Sequence, residues 1–317
     1  MKILITGSAG FIGYHVTRHL LSDGMQILGI DNLNNYYNQN LKLERLKILR
    51  SYKNFSFKKV DISDRNRIKS VFSSFKPEKV VNLAAQAGVR YSLKNPYAYM
   101  SSNLDGFLNV IELCKDFGVS GLVYASSSSV YGNNKNKPFK ISDRVDNPIS
   151  LYGATKRANE LIAYSYSHIY KLKTTGLRYF TVYGPWYRPD MALYIFAKKI
   201  SNGDSINVYN NGKMKRDFTF IDDIVKGTIS ALNKNYDCEI FNLGNNNSEN
   251  LMTVINLLEK ALNKKAKINF LPIQPGDVKE TLADIDYSTE KLNYQPSTNI
   301  GEGIKLFTKW FKEYHNA

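Results

Sequence analysis

Lys2-Ile3-Leu4-Ile5-Thr6-Gly7-Ser8-Ala9-Gly10-Phe11-Ile12-Gly13 decides how the rest of the chain is read. Lys2–Thr6 is an apolar run that ends in a hydroxyl, as a buried strand does. Gly7, Gly10 and Gly13 follow at three-residue spacing, and residues 11–23 then show helical periodicity. In a strand–turn–helix unit, glycines permit a tight turn, bring backbone N–H groups close to a diphosphate, and let helix and strand pack closely. The helix N-terminus itself favours an anion. A glycine turn with a purely structural role is the alternative. Against it stands Asp31, at the end of the next strand and 18 residues beyond Gly13. Its carboxylate can bond an adenine-ribose diol and would repel a 2′-phosphate, so NAD is expected rather than NADP.

The pattern repeats outward from this unit. Lys2–Thr6, Gln26–Asp31 and residues 55–61, 79–83, 121–125 and 177–180 read as strands. Helices are expected over 11–23, 40–51, 64–75, 95–117 and 152–170. The third opens at a Ser63-Asp64 cap and stops before Pro77, and the fourth starts at Pro96 and ends at Gly118. Alternation of this kind predicts an α/β fold: a Rossmann-type doubly wound parallel sheet with helices on both faces. Beyond residue 180 the texture changes. Helices are expected over Ala192–Asn202, from Ile221, over 248–265 and over 301–314, with a loop at 210–215. The division is therefore a nucleotide-binding domain over 1–180 and a smaller α/β substrate lobe over 181–317, with some segments crossing between them.

Composition narrows the class. The chain has 317 residues, 43% hydrophobic and 13% aromatic, which supports a sizeable core and excludes a disordered polymer. Two cysteines, Cys114 and Cys238, are too few for a disulfide framework and suit a reducing compartment. No secretory leader and no apolar run of membrane-spanning length are visible, so a cytoplasmic, membrane-free protein is expected. The net charge of +15 invites nucleic acid, yet the lysines are scattered rather than blocked, and an anionic small molecule suits the charge better. His15 and His19 sit i, i+4 on the first helix without a third ligand nearby, so they read as surface histidines and no metal is expected.

Tyr152 and Lys156 lie one helical turn apart. A neighbouring ammonium would lower the phenol's pKa and ready it as a general base. The spacing also occurs at Tyr131/Lys135, Tyr194/Lys198, Tyr209/Lys213 and Tyr287/Lys291, so position must select. Only Tyr152/Lys156 opens a helix that follows a strand ending in Ser126-Ser127-Ser128-Ser129. Those hydroxyls fall at the C-terminal edge of the parallel sheet, where such folds bind ligands. A polar strand end without chemistry is the plain alternative.

Over nearly its whole length the chain resembles the extended short-chain dehydrogenase/reductase superfamily. Within it, the resemblance is to nucleotide-sugar 4-epimerases, and most closely to UDP-glucuronate 4-epimerases. Three segments carry the narrower likeness: Asp31-Asn32-Leu33-Asn34-Asn35-Tyr36-Tyr37, Ala84-Ala85-Gln86-Ala87-Gly88-Val89-Arg90-Tyr91-Ser92, and Gly184-Pro185-Trp186-Tyr187-Arg188-Pro189-Asp190-Met191-Ala192. The family usually has Gly where Tyr187 stands, beside the expected sugar pocket.

The resemblance implies transient oxidation at C4 of a UDP-sugar, with NAD restored in each cycle. It casts Tyr152 as base, Lys156 as the group that holds the phenolate and the nicotinamide ribose, and Ser127 as the hydroxyl on the 4-oxygen. It places the cofactor against Gly7, Gly10, Phe11, Ile12, Gly13, Asp31, Asn32, Asp61, Ile62, Leu83, Ala84, Ala85, Gln86, Tyr152, Lys156 and Tyr179. The substrate would meet Arg90, Ser126, Ser127, Ser128, Thr181, Arg188, Arg216 and Asp277. Related 4,6-dehydratases carry an Asp-Glu pair where this chain has Ser128-Ser129, and decarboxylases carry a Glu at the Ser129 position; neither carboxylate is present.

For the sugar, Arg188 is the residue of interest, because its guanidinium can take a C6 carboxylate two-pronged. A solvated arginine or a salt bridge is the alternative. Arg216 would contact the diphosphate, or else belong to a solvated basic loop. In Pro275-Gly276-Asp277-Val278 the residue two before the glycine is Gln274, as in the uronate group, where neutral-sugar enzymes often carry Arg. UDP-glucose or UDP-N-acetylglucosamine 4-epimerisation is the competing enzymatic reading, and an NAD-sensing scaffold the non-enzymatic one. The resemblance also implies a homodimer, built from the 95–117 and 152–170 helices of two subunits.

Overall fold

In the computed structural model, which describes residues 1–274 and 276–316, the first half of the chain alternates strand and helix throughout. The order runs β1 (Lys2–Thr6), α1 (Phe11–Ser22), β2 (Gln26–Asp31), α2 (Gln39–Leu49), β3 (Phe55–Lys59), α3 (Arg65–Phe75) and β4 (Lys79–Asn82). Then come α4 (Val89–Lys94), α5 (Pro96–Tyr99), α6 (Gly106–Asp116), β5 (Gly121–Ser127), α7 (Leu151–Tyr170) and β6 (Thr174–Tyr179). The remainder is β7 (Thr181–Tyr183), α8 (Ala192–Asn202), β8 (Ser205–Tyr209), β9 (Lys215–Phe220), α9 (Ile221–Lys234), β10 (Cys238–Leu243), β11 (Ser248–Asn250), α10 (Leu251–Leu262), β12 (Lys267–Leu271), α11 (Asp286–Leu292) and α12 (Ile300–His315).

Seven strands form one sheet in the order β10-β6-β5-β4-β1-β2-β3, and every pairing is parallel. The order reverses between β1 and β4, so their C-terminal ends open the crevice where doubly wound sheets take ligands. Ile3, Leu4, Ile5, Val80, Val81, Leu122 and Val123 are buried, as strands covered on both faces require. β10 comes from beyond residue 180, a segment that returns from the second half to the main sheet. Two small sheets, β11-β9-β7 and β12-β8, are built from the later strands. None of the described helices is long and apolar enough to cross a membrane.

Two helical expectations are corrected. Residues 95–117 are not one helix: α5 passes into a π-helical turn, Met100–Asp105, before α6. The wider turn sets Asn103 inward, where its side chain clasps the backbone of Gln86 (2.8 and 3.0 Å) and its carbonyl accepts from Asn159 Nδ2 at 2.7 Å. Residues 248–265 begin not as helix but as β11, paired antiparallel with β9, and α10 starts only at Leu251, capped by Asn250.

Candidate active site

A single cleft of about 540 Å³ at the crevice is lined by every residue the sequence singled out for cofactor, catalysis or substrate. Pro275, part of one quoted motif, and Ala317, the end of the second lobe, lie outside the described residues.

On the nucleotide side the fit to NAD can be judged from the glycine loop. Gly10, the N-cap of α1, makes no side-chain cap, and the helix has no acidic residue in its first turn. The opening N–H groups of α1 are thus left for an external anion. A Cβ at Gly13 would lie 2.0 Å from the Gly7 carbonyl, so the turn closes only with glycine there. Burial pushes the Asp31 carboxyl up, and Lys42, the Leu33 N–H and Arg45 pull against it. Burial would also raise Asp61, but bonds from Asn32 and both donors of Ser63 outweigh it and hold the acid below its ordinary value. Ile62 and Leu83-Ala84-Ala85-Gln86 complete this wall. Tyr179 contributes its ring alone, because its hydroxyl is bonded to Thr228 at 2.9 Å. The residues present therefore fit the cofactor.

Ser127, Tyr152 and Lys156 meet where β5 runs into α7. Ser127 ends β5 and caps the following turn by accepting from Ser129 N at 3.1 Å. Ser150 caps α7 by accepting from Gly153 N at 3.0 Å, which starts the helix just before Tyr152. The Lys156 ammonium donates to Ala125 O at 2.8 Å and stands 6.0 Å from the centre of the Tyr152 ring.

The electrostatics correct one expectation. Burial raises the Tyr152 phenol, opposed by its hydrogen bond with Ser127 and by the charge of Arg188. Lys156 is not what lowers it; its own ammonium is pushed down to about 8 by burial and is turned to the β5 carbonyl. Ser126 is also committed elsewhere, donating to Glu160 Oε1 at 2.6 Å. Glu160 is held two-pronged by Arg178 at 2.8 and 2.9 Å, which bolts α7 to β6 beneath the serines.

On the substrate side Arg188 meets a partner that sequence reasoning missed. Its Nε donates to Asp190 Oδ1 at 3.0 Å and its Nη2 to Oδ2 at 2.5 Å. The Tyr36 hydroxyl bonds the same carboxylate at 3.1 Å. Aspartate two residues after Arg188 was the available signal. Farther out, Arg90 pairs with Asp277 at 2.8 Å and stacks 4.5 Å above the Tyr209 ring. Arg216 bonds the carbonyls of Lys215 and Lys279, and burial lowers it against the pull of Asp277. Two arginines and one aspartate at this end suit a diphosphate and a ribose. Thr181 and Ser128 line the wall between the two ends.

Tyr187 does not crowd the sugar end with a free side chain. It is buried, edge-on to Phe11 at 5.0 Å and to Phe307 at 6.2 Å. The reading of His15 and His19 as surface histidines holds for His19 and is corrected for His15. His15 is tucked under the substrate loop, its Nε2 3.0 Å from Pro185 O, and burial pushes it down to about 3. His19 instead faces Asp23 at 3.5 Å.

Known proteins share this fold. The chain is 45% identical to a UDP-glucuronate 4-epimerase of Thermodesulfobacterium geofontis, over 98% of this chain and 96% of that one. A crystal structure of UDP-glucuronic acid 4-epimerase from Bacillus cereus, in complex with UDP-glucuronic acid and NAD, matches with TM-score 0.94 and 33% identity, over 99% and 100% of the two chains. A UDP-glucose 4-epimerase from Thermotoga maritima, with UDP-glucose, matches with TM-score 0.92 and 31% identity, over 99% and 100%. The family pattern itself covers residues 3–244. With that match spanning the sheet, the glycine loop and the Ser127/Tyr152/Lys156 corner, the chain belongs to the NAD dependent epimerase/dehydratase family.

Proposed function

We propose that this protein interconverts UDP-glucuronate and UDP-galacturonate by reversible oxidation at C4. The observation that carries the reading is the placement of Arg188, a guanidinium in the same cleft as Tyr152 and close enough for its charge to act on the phenol. A sugar whose 4-hydroxyl meets Tyr152 thereby has a two-pronged cation available for a C6 carboxylate. The likeness to UDP-glucuronate 4-epimerases supports it.

Gly7, Gly10 and Gly13 with the α1 N-terminus would hold the NAD diphosphate, and Asp31 the adenine ribose. NAD, when bound, takes up the C4 hydride and gives it back. Tyr152 takes the proton of the 4-hydroxyl, and Ser127 orients the 4-oxygen through the hydrogen bond it shares with the phenol. Lys156, held on the Ala125 carbonyl of β5, would hold the nicotinamide ribose. The 4-keto sugar then turns about its diphosphate, held by Arg90 and Arg216, so that the opposite face of C4 is offered for hydride return while Tyr152 gives the proton back to the 4-oxygen. Arg188 fixes the carboxylate away from the geometry in which a β-keto acid loses CO2.

The test is NMR of UDP-glucuronate with the NAD-loaded protein and no reductant. The UDP-galacturonate anomeric signal appears, and Tyr152→Phe abolishes it. Arg188→Ala releases decarboxylated product; no rise in that product would sink the clamp. One observation favours a second reading, a neutral UDP-hexose 4-epimerase: Arg188 already holds an aspartate. Interconversion of UDP-glucose or UDP-N-acetylglucosamine with no uronate turnover would decide for it.

A homodimer accompanies this reading. Leu108 of α6 and Leu161, Tyr164 and Ile169 of α7 leave apolar side chains exposed, as a face that packs on its own copy would.

A further inference from the structure

We infer that Asp190 is a positioning residue for the uronate, setting which edge of Arg188 is offered to the sugar. This rests on the reading of Arg188 as the carboxylate's partner.

A guanidinium has five N–H bonds arranged as two two-pronged edges, one through Nε and Nη2 and one through Nη1 and Nη2. Asp190 occupies the first edge with both of its oxygens. The second edge keeps one N–H bond of Nη1 and one of Nη2, and no protein acceptor among the described residues takes them. That edge alone can receive another carboxylate in fork geometry. Asp190 is itself fixed, because Tyr36 bonds its Oδ2 and lies beneath the guanidinium, ring centre 6.0 Å from Cζ. Tyr36 is clamped in turn against Tyr91 at 4.7 Å. The loop's approach is pinned by His15 on the Pro185 carbonyl and Arg45 on the Trp186 carbonyl. Arg188 thus has one orientation.

The consequence is selective. A C6 carboxylate satisfies both prongs of the open edge, whereas a hydroxymethyl group accepts at one. With Asp190 compensating the charge, Arg188 attracts the uronate less by net charge and more by direction. Asp190→Asn removes the ionic hold but keeps the shape, so it should slow turnover without weakening attraction.

The experiment measures UDP-glucuronate epimerisation by the NAD-loaded full-length protein, with UDP affinity by calorimetry. Asp190→Asn is expected to lower kcat at least about tenfold while KM for UDP-glucuronate and Kd for UDP stay within about twofold. Tyr36→Phe, which keeps the carboxylate and loosens only its support, lowers kcat by about threefold and decides the matter alone if Asp190→Asn does not fold. The proposal is overturned if Asp190→Asn keeps kcat within about twofold, or if its fall in kcat comes with an equal loss of UDP affinity. If Arg188→Ala loses turnover and Asp190→Asn keeps it, only the Asp190 role falls. If both keep it, the reading of Arg188 falls as well.

Discussion

Arg45 donates from Nη2 to the backbone carbonyl of Trp186 at 2.5 Å, from a side chain with 0% exposure. Its Nη1 reaches Ala9 O at 2.8 Å and the Tyr37 hydroxyl at 3.0 Å. One buried cation thereby ties the glycine loop to the loop that leads to Arg188. Among the described residues no carboxylate forms an ion pair with it, and the three oxygens are its direct partners. Arg45→Met strands them and should cost about 3 kcal/mol, a Tm fall of about 5 °C in a chain of this length. NAD affinity and KM for the UDP-sugar should worsen together, because the freed carbonyls belong to both ends of the cleft. Thermal melts with an NAD titration check this; an unchanged Tm would show the bonds to be dispensable.

Gly153 sets the distance between Tyr152 and the serine turn. A Cβ there would stand 2.6 Å from Ser129 O and 3.2 Å from Pro148 Cβ. The first neighbour is backbone and cannot swing away, so Gly153→Ala should push the first turn of α7 off the turn that holds Ser127. A displacement of about 1 Å is enough to cost roughly a hundredfold in kcat. Steady-state kinetics beside a melt distinguish this from simple unfolding, since kcat should drop far more than the folded fraction.

What was legible in the sequence was local. The glycine loop, Asp31 and the Tyr152/Lys156 helix are specified within a few residues of one another, and each sits in the cleft. What escaped depends on distant partners. Nothing near Arg45 announces that it is buried against loops from three parts of the chain. Asp190 and Tyr36, 154 residues apart, become neighbours only when the substrate loop folds over β2. The π-turn at Met100–Asp105 lies within a stretch that the Pro96 start and Gly118 end frame as one helix, and the clasp of Asn103 on Gln86 gives it away only in the folded chain. The short strands β7 to β12 are polar at their edges and lack the apolar runs that betrayed β1 to β6. The direction of the Tyr152 shift is hidden for a similar reason, because spacing shows the nearby lysine but neither the burial that raises the phenol nor the turn of the ammonium to Ala125 O.

Lys156 gives a pH signature. Its pKa in the folded protein is about 8, below its ordinary 10.5, because burial disfavours the ammonium. Below pH 8 both folded and unfolded chains carry the proton, and the fold bears the full cost of burying the charge. Above the ordinary value both are neutral and the cost is gone. Stability from this residue therefore rises between pH 8 and 10.5, by on the order of 3 kcal/mol in the protein free of ligand. Lys156→Met should be more stable than the parent at pH 7, and the gap should close with rising pH. The difference between the two melting curves isolates this lysine from the others; a gap independent of pH would contradict the assignment.

Glu160 anchors the catalytic helix from below. It accepts from Arg178 twice, from Arg157 at 3.0 Å and from Ser126 at 2.6 Å, and neither it nor Arg178 is exposed beyond 2%. Removing one member leaves a buried cation with half its partners, so Glu160→Leu should cost about 3–5 kcal/mol. The paired change Glu160→Leu with Arg178→Met removes both fully buried charges, leaves the part-exposed Arg157 to Asp146, and should recover much of that loss. Denaturant unfolding of the two variants checks the order; equal losses would mean that packing, not charge, dominates there.

Tyr187 stands where relatives by resemblance have glycine, and its ring fills a gap between Phe11 on α1 and Phe307 on α12. The chain has used that position to pack the C-terminal helix against the nucleotide-binding helix, and the sugar end keeps Arg188 and Asp190 in their own pairing. Tyr187→Gly should therefore act on stability first. Deleting a buried aromatic costs about 3–5 kcal/mol, with a further contribution from the freedom glycine gives the loop beside Trp186, whose φ is already 62°. The ratio of kcat/KM for UDP-glucuronate over UDP-glucose, measured below the lowered melting point, should stay within about threefold of the parent. A collapse of that ratio would mean that the ring, and not only the Arg188 fork, selects the sugar.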